Sequence, residues 1–340
     1  MNPDIRLSQL NSWLANLASK WSLTLDLAPA SSDASFRRYF RVAGTKNGAP
    51  QSFIVMDAPP ATEDTRPFIA ISGLFAQAKL NVPLVLEQNV DQGFLLLSDL
   101  GSETYLSALK PASAPKLYDD ANSALIQMQL ASKPGILPEY NRELLSRELN
   151  LFTEWYLGKH LNLELNSKQI ADLTHIFDLI LENNLSQAQV YVHRDFHSRN
   201  LMVTGANNPG ILDFQDAVYG PITYDLASLY RDAYIEWEEP EQMDWLIRYW
   251  DKARKAGLPV PSEFGDFYRD FEWMGLQRHL KVLGIFARLY HRDGKDGYLK
   301  DMPLVFKYTR KVAERYIALK PLLRLLDTIE GIDRPDGLTF

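Results

Sequence analysis

Cysteine is absent from this 340-residue chain, which excludes disulfide bonds, thiol catalysis and metal sites built on cysteine. The chain also lacks an apolar run long enough to cross a bilayer, and its amino-terminal segment has neither the basic start nor the apolar core of a signal peptide. No extended run of lysine and arginine occurs, and the formal net charge is −7. These absences predict a cytoplasmic protein that binds neither membranes nor nucleic acid. They leave the oligomeric state open.

The periodicity of the apolar residues changes near Gly101. Before this point, an amphipathic helix over Ile5–Trp21 precedes alternating segments that indicate antiparallel strands. After it, long segments with helical periodicity dominate. We therefore expect an α+β protein with a small strand-rich lobe, residues 1–100, and a larger, mostly helical lobe, residues 101–340. One strand-rich segment, 190–214, interrupts the helical lobe.

The segment 190–214 carries the polar residues with the most informative spacing. It contains H-R-D-x-x-x-x-N followed by D-F, which is the spacing of a kinase catalytic loop and its metal-binding segment. Asp195 is the candidate base for the proton of an acceptor hydroxyl, and His193 is expected to support the loop from beneath. Asn200 and Asp213 are candidate Mg²⁺ ligands, because this hard cation prefers oxygen. The spacing thus predicts phosphoryl transfer that uses ATP and Mg²⁺.

Together with a later D-L-A sequence that begins at Asp225, this segment resembles the aminoglycoside and choline phosphotransferase superfamily. The resemblance implies a bilobal protein-kinase-like fold in which Asp225 opens a helix and braces the catalytic loop. A narrower likeness, from about residue 31 to about residue 308, is to bacterial cell-wall-recycling kinases. Those enzymes phosphorylate the anomeric hydroxyl of N-acetylmuramic acid and N-acetylglucosamine. The stretches that carry this narrower resemblance are 35–41, 55–60, 94–101 and 213–217.

The strand-rich lobe is expected to bind the nucleotide, although it has no G-x-G-x-x-G loop. Ser32 and Ser35 lie in a short run of small residues whose backbone amides are predicted to face phosphate instead. The resemblance also implies nucleotide contacts at Ser98 and Leu100.

A second departure concerns the lysine that pairs with the phosphates in this superfamily. Met56 occupies its position, and the predicted helix 65–79 contains no glutamate to pair with such a lysine. Because guanidinium groups bind phosphate well, an arginine of the first hairpin is expected to replace the lysine, Arg38 before Arg37 or Arg41. Solvated strand arginines are the alternative. The missing lysine also keeps open a nucleotide-binding pseudokinase without turnover.

The expected substrate is a small amino sugar. A predicted helix, 272–290, places Arg278, Lys281 and Arg288 along one side, where they are expected to read a substrate carboxylate such as that of N-acetylmuramic acid. Surface ion pairing is the alternative for these three cations. An acidic run at 236–241 keeps an aminoglycoside acceptor open, and choline and homoserine remain further alternatives.

Overall fold

The alternating apolar residues of the first hundred positions form a five-stranded antiparallel sheet of order β1-β2-β3-β5-β4. The computed structural model describes residues 4–32 and 36–332. The strands are β1 (Ala28–Ser32), β2 (Arg38–Lys46), β3 (Ala49–Asp57), β4 (Val85–Asn89) and β5 (Phe94–Ser98). Helix α1 (Ile5–Trp21) packs on this sheet, and helix α2 (Arg66–Gln77) connects β3 to β4. The described bounds of α1 coincide with those predicted from the periodicity.

The chain divides into two compact units. The first combines Met1–Met128 with Arg199–Asp216, and the second combines Gln129–Ser198 with Ala217–Phe340. The predicted lobe boundary near Gly101 follows composition, whereas these units follow spatial contacts. The first unit therefore extends through α3 (Tyr105–Ala108) and most of α4 (Ala114–Leu130).

The second unit is mainly helical. Strand β6 (Gln189–Val192) pairs antiparallel with β9 (Val218–Pro221) at the start of its catalytic segment. The short strands β7 (Leu201–Met202) and β8 (Gly210–Ile211), which lie between them in the chain, belong to the first unit. The helices of the second unit are α5 (Arg142–Leu151), α6 (Ser167–Leu185), α7 (Tyr224–Tyr230), α8 (Glu239–Lys255), α9 (Phe264–Asp293), α10 (Met302–Arg315) and α11 (Lys320–Glu330). A π-helix (Phe152–His160) continues α5, and short 3₁₀ helices span Asp296–Asp301 and Ile317–Leu319.

The long helix α9 runs through the second unit and passes very close to the end of α5. A Cβ atom at Gly284 would lie only 2.3 Å from the carbonyl carbon of Leu151, so glycine is required at this contact. The polar residues Arg278 and Lys281 lie one to two turns earlier on α9 and are nevertheless buried. The close contact thus helps to set where these two cations lie. None of the helices in the described part of the chain is long and apolar enough to cross a membrane.

Candidate active site

The two predicted metal ligands are brought together by the smallest sheet of the first unit. Asn200 directly precedes β7 and Asp213 follows β8, and these strands pair antiparallel. The Asn200 side-chain amide lies 3.3 Å from Asp213 Oδ2, and the Leu212 amide donates to the Asn200 carbonyl at 2.9 Å. Asp213 adopts a left-handed backbone with φ of 61°, an unfavourable conformation that is typical of functional positions. The hairpin therefore brings a carboxylate and a side-chain carboxamide together.

These donors suit Mg²⁺, which is commonly held by one or two protein ligands together with substrate phosphates. Among the described residues, no group of three or more His, Cys, Asp or Glu side chains is arranged to hold a metal by itself. Gln215 donates to Asp213 Oδ1 at 2.8 Å and so helps to orient the carboxylate. The donor set thus fits a cation that arrives with a nucleotide.

The residue after Asp213 anchors the segment that carries the predicted metal ligand. The Phe214 ring packs against two rings of α2, with centroid distances of 4.8 Å to Phe68 and 5.9 Å to Phe75. Phe214 and Phe75 are fully buried. Helix α2 therefore fixes the backbone from which Asp213 projects, although it has no glutamate to pair with a lysine.

The segment after β5 has free backbone groups at one predicted nucleotide contact. Within the described chain, neither the amide nor the carbonyl of Leu100 takes part in a hydrogen bond. Its side chain packs toward β8, where a Cβ at Gly210 would lie 3.0 Å from Leu100 Cδ1. Ser98 is different, because its hydroxyl already accepts from the Leu84 amide at 2.8 Å. Leu100 therefore retains the backbone donor and acceptor that a nucleotide base requires.

The serine predictions in the first hairpin are only partly accessible to the structure. Ser35 lies outside the described residues. For Ser32 the structure describes the backbone, which pairs with Arg38 across β1 and β2.

Each arginine of the first hairpin has an acidic partner. Arg38 forms ion pairs with the buried Asp57 and with Asp4, and its Nε lies 3.0 Å from Asp57 Oδ2. Arg41 donates to Asp99 at 2.6 Å, and Arg37 forms an ion pair with Glu63 at 2.9 Å. The prediction that Arg38 replaces the phosphate-pairing lysine therefore receives no support from these contacts. The reason is that the preferred partner of this guanidinium is a carboxylate, Asp57, next to Met56 on β3.

The predicted base lies in the second unit, in a loop whose backbone is held by Asp225. The Asp225 carboxylate accepts from the amides of His193 and Arg194 at 2.7 and 3.0 Å. His193 Nδ1 accepts from the Asp195 amide at 3.2 Å. Burial raises the pKa of Asp225 to about 7, even though the two amide hydrogen bonds favour its charged form. Asp225, which the resemblance assigned to bracing this loop, and His193, which the loop sequence assigned to supporting it, thus both contact its backbone.

Several positive groups act on the Asp195 carboxylate. Burial disfavours its charged form, but the charges of Lys281, His197 and Arg278 outweigh burial and lower its pKa. Asp195 is therefore ionised at neutral pH, as a base must be.

Glu148 of α5 is a buried residue near this loop that the sequence reasoning missed. It accepts hydrogen bonds from the Tyr140 hydroxyl and the Arg194 guanidinium, and its Oε1 lies 3.1 Å from Lys281 Nζ. Lys281 also donates to the Tyr224 hydroxyl at 3.0 Å. The only signal in the sequence was a glutamate on the same side of a helix as apolar residues, which does not reveal its partners.

Asp232 is a second missed residue. Its carboxylate accepts from the Ser198 amide at 2.9 Å and from the Tyr234 amide at 3.1 Å. Asp225 holds the start of the catalytic loop, and Asp232 is a second buried residue that holds the loop further along.

The three predicted substrate cations do not form one stripe. Lys281 is paired with Glu148, whereas Arg288 is half-buried and its charge interacts with Arg292, Asp293 and Glu154. Seven residues along an α-helix separate these two cations by about 10 Å, so their similar angular position does not bring them together. Arg278 is buried, and its Nη1 has no hydrogen-bond partner among the described residues. Arg278 thus combines a charge that acts on Asp195 with a buried donor that has no partner among the described residues.

Comparisons with known proteins place the chain in a family. Residues 26–264 match the model of the APH phosphotransferase enzyme family. The chain is 48% identical to the N-acetylmuramate/N-acetylglucosamine kinase of Pseudomonas aeruginosa over 337 residues, which cover 97% of this chain and 98% of that protein. It is also 48% identical to the Neisseria meningitidis protein of the same name, with 98% and 99% coverage.

Solved structures share the fold at low sequence identity. The gentamicin complex of APH(2″)-IIa matches with a TM-score of 0.57 and 16% identity, covering 90% of this chain and 97% of that one. The choline kinase LicA from Streptococcus pneumoniae matches with a TM-score of 0.59 and 13% identity, covering 89% and 99%. The chain therefore belongs to the APH phosphotransferase enzyme family and has an α+β, bilobal, protein-kinase-like fold.

Proposed function

We propose that this protein is a cytoplasmic, ATP- and Mg²⁺-dependent kinase that phosphorylates the anomeric hydroxyl of N-acetylmuramic acid and N-acetylglucosamine in peptidoglycan recycling. The observation that carries the choice of substrate is the 48% identity, over nearly the full chain, to kinases named for these two sugars. The use of ATP is supported by the fold match to an ADP-bound aminoglycoside phosphotransferase, with a TM-score of 0.55.

In the proposed reaction, Asp195 handles the acceptor proton, and Asn200 and Asp213 serve the metal ion. Asp195 accepts the proton of the C1 hydroxyl while the oxygen of that hydroxyl bonds to the γ-phosphorus. The bond between the γ-phosphorus and the β-phosphate oxygen breaks at the same time, which releases ADP. Asp213 and Asn200 would hold Mg²⁺, and the bound cation would neutralise charge on the phosphate oxygens. The backbone of Leu100 pairs with the nucleotide base. The anomeric hydroxyl is more acidic than an ordinary alcohol, so an ionised aspartate is a sufficient base.

On the acceptor side, we assign Arg278 to the substrate carboxylate. Its buried Nη1 has no protein partner within the described residues, and an unpaired buried donor is costly unless a ligand satisfies it. N-acetylmuramic acid carries a lactyl carboxylate, and N-acetylglucosamine does not.

An aminoglycoside acceptor receives less support from the acidic run. Glu236 forms an ion pair with Lys307, and Glu239 pairs with Lys311 and Arg315. These two glutamates are already neutralised, so they are poor receptors for a polycationic antibiotic.

The test is a turnover panel with ATP, Mg²⁺ and the two amino sugars, choline, homoserine and kanamycin. We expect consumption of the sugars and a phosphorus signal coupled to the C1 proton in NMR. Coupling to the C6 protons would contradict the anomeric assignment, and turnover of choline, homoserine or kanamycin alone would assign another substrate class. Arg278→Ala should lose activity on N-acetylmuramic acid more than on N-acetylglucosamine, and equal losses would remove Arg278 from carboxylate recognition.

A further inference from the structure

A buried lysine–glutamate pair exists in this protein, but not where the superfamily pattern led us to expect one. The strand β3 carries Met56 in place of a lysine, and Arg37, Arg38 and Arg41 of the described hairpin all have carboxylate partners. In the second unit, Lys281 of α9 and Glu148 of α5 form an ion pair at 3.1 Å, with side chains only 8% and 7% exposed. The pair is thus almost entirely removed from water.

The ammonium group of this pair is held in a defined position. Lys281 forms an ion pair with Glu148 at 3.1 Å and donates a hydrogen bond to the Tyr224 hydroxyl at 3.0 Å. Glu148 is itself fixed by the Tyr140 hydroxyl and the Arg194 guanidinium. The ion pair and the hydrogen bond therefore fix the position of the ammonium group.

The charge of Lys281 acts directly on the predicted base. Lys281 is the largest of the positive contributions that lower the pKa of Asp195. The other titratable groups that act on Asp195 are His193 and His197 on the loop, Arg278 on α9 and Asp225 on α7. Burial by itself would lower the pKa of Lys281, but the negative charge of Glu148 outweighs burial and raises it. The amine therefore stays protonated. The geometry agrees, because Glu148 pairs both with Lys281 and with Arg194, the residue that directly precedes Asp195. A buried, protonated amine thus lies near the group that activates the acceptor.

We infer that Lys281 is the catalytic cation that contacts the transferred phosphoryl group, and that Glu148 is the positioning residue that holds it. The inference rests on Asp195 being the base in the proposed function. The phosphoryl group must reach the hydroxyl oxygen that Asp195 deprotonates, so a cation at Asp195 meets the negative charge on its equatorial oxygens. The acceptor proton moves to Asp195, the bond from phosphorus to ADP breaks, and Lys281 keeps its proton throughout. This role supplies the positive charge that Met56 does not.

Steady-state kinetics of Lys281→Met and Lys281→Arg provide the test. Removal of one preorganised donor from a transition state costs about 10²–10³-fold in kcat. We expect a loss of that size in Lys281→Met, a partial recovery in Lys281→Arg, and an unchanged affinity for Mg·ADP by titration calorimetry. If Lys281 instead bound the phosphates of ATP in the ground state, its replacement by methionine would raise KM for ATP. Loss of Mg·ADP affinity with an unchanged kcat would therefore overturn the inference.

A double variant separates this role from a contribution to folding. Lys281→Met alone leaves Glu148 facing only Arg194, whereas Lys281→Met combined with Glu148→Gln removes both charges from the pair with side chains of similar size. The matched control is Arg269→Met, an exposed cation on the same helix. If the double variant is folded and keeps kcat within about threefold of wild type, the inference is wrong. If Asp195→Asn also keeps its turnover, the assignment of the base fails as well, so the two failures are distinguishable.

Discussion

The two aspartates that meet at the catalytic loop ionise differently. Positive neighbours lower the pKa of Asp195, whereas burial raises the pKa of Asp225 to about 7. Environments that separate the pKa values of neighbouring carboxyl groups also separate their functions. Asp195 is suited to receive a proton from substrate, and Asp225 is suited to hold backbone amides.

Asp195→Asn should therefore remove the base with little change in shape. We expect kcat to fall by about 10²–10⁴-fold, which is the usual contribution of general base catalysis. The affinity for Mg·ADP, measured by titration calorimetry on the same preparation, should remain near that of wild type. A variant that keeps a near-wild-type kcat would exclude Asp195 from the mechanism.

The metal ligands should differ in strength. Asp213→Ala removes a carboxylate and should abolish the Mg²⁺-dependent part of ATP binding, whereas Asn200→Ala removes a neutral oxygen and should weaken it less. The measurement is nucleotide titration with and without Mg²⁺. Phe214 remains in place against α2 in both variants, so their thermal stability serves as the control. Unchanged Mg·ATP affinity in Asp213→Ala would show that the cation lies elsewhere.

Asp225 should also impose a pH dependence on stability. Its pKa is about 7 in the folded protein and near 3.8 in the unfolded chain, so the folded state binds the proton more tightly. The stabilisation that comes from this tighter proton binding is fully present below about pH 4 and is lost as the pH rises to about 7. The difference in unfolding free energy between wild type and Asp225→Asn should thus decrease by a few kcal/mol across this range and stay constant above it. Urea unfolding at several pH values measures it, and a difference that does not change with pH would contradict the assignment.

At the scale of the elements, the contact between α9 and the end of α5 is the most restrictive. Gly284→Ala places a Cβ 2.3 Å from the Leu151 carbonyl carbon, so the helices must separate. We expect a destabilisation of about 1–3 kcal/mol or more, because overpacking against backbone cannot be relieved by a rotamer change. Since α9 carries Arg278 and Lys281, kcat should fall in the same variant.

The control for this prediction lies on the same helix. Gly265 has open space at the position of a Cβ, so Gly265→Ala should be neutral or stabilising, by up to about 1 kcal/mol. Thermal unfolding of the two variants and wild type makes the comparison. Equal effects of the two substitutions would show that the contact at Leu151 does not limit the packing of α9.

The sequence predicted those features that depend on residues close together in the chain. The helix α1 follows from its periodicity, and the spacing of Asn200 and Asp213 anticipated a pair that the β7–β8 hairpin brings to 3.3 Å. Glu148 could not be found in this way, because its partners come from segments far apart in the chain. The same limit applies to the ion pair between Arg38 and Asp57, since strand alternation gives the side of the sheet on which a residue lies but not the carboxylate that it meets.

At the scale of the whole molecule, family resemblance predicted the fold better than composition did. A change in periodicity located a boundary near Gly101, but it could not show that Arg199–Asp216 returns to the first compact unit. That return depends on packing between distant segments, such as Phe214 against Phe68 and Phe75. Composition measured along the chain contains no information about such a return.

The discontinuity of the first unit has a consequence for the order of events on the ribosome. The sheet and α2 are synthesised early, but the stretch Arg199–Asp216 follows only after a long part of the second unit. Domains tend to fold from the amino terminus as the chain emerges. The surface of α2 that later packs against Phe214 therefore stays exposed until Phe214 has been synthesised. A nascent chain therefore completes the β7–β8 hairpin last within this unit, and Asn200 can meet Asp213 only after both residues have left the exit tunnel.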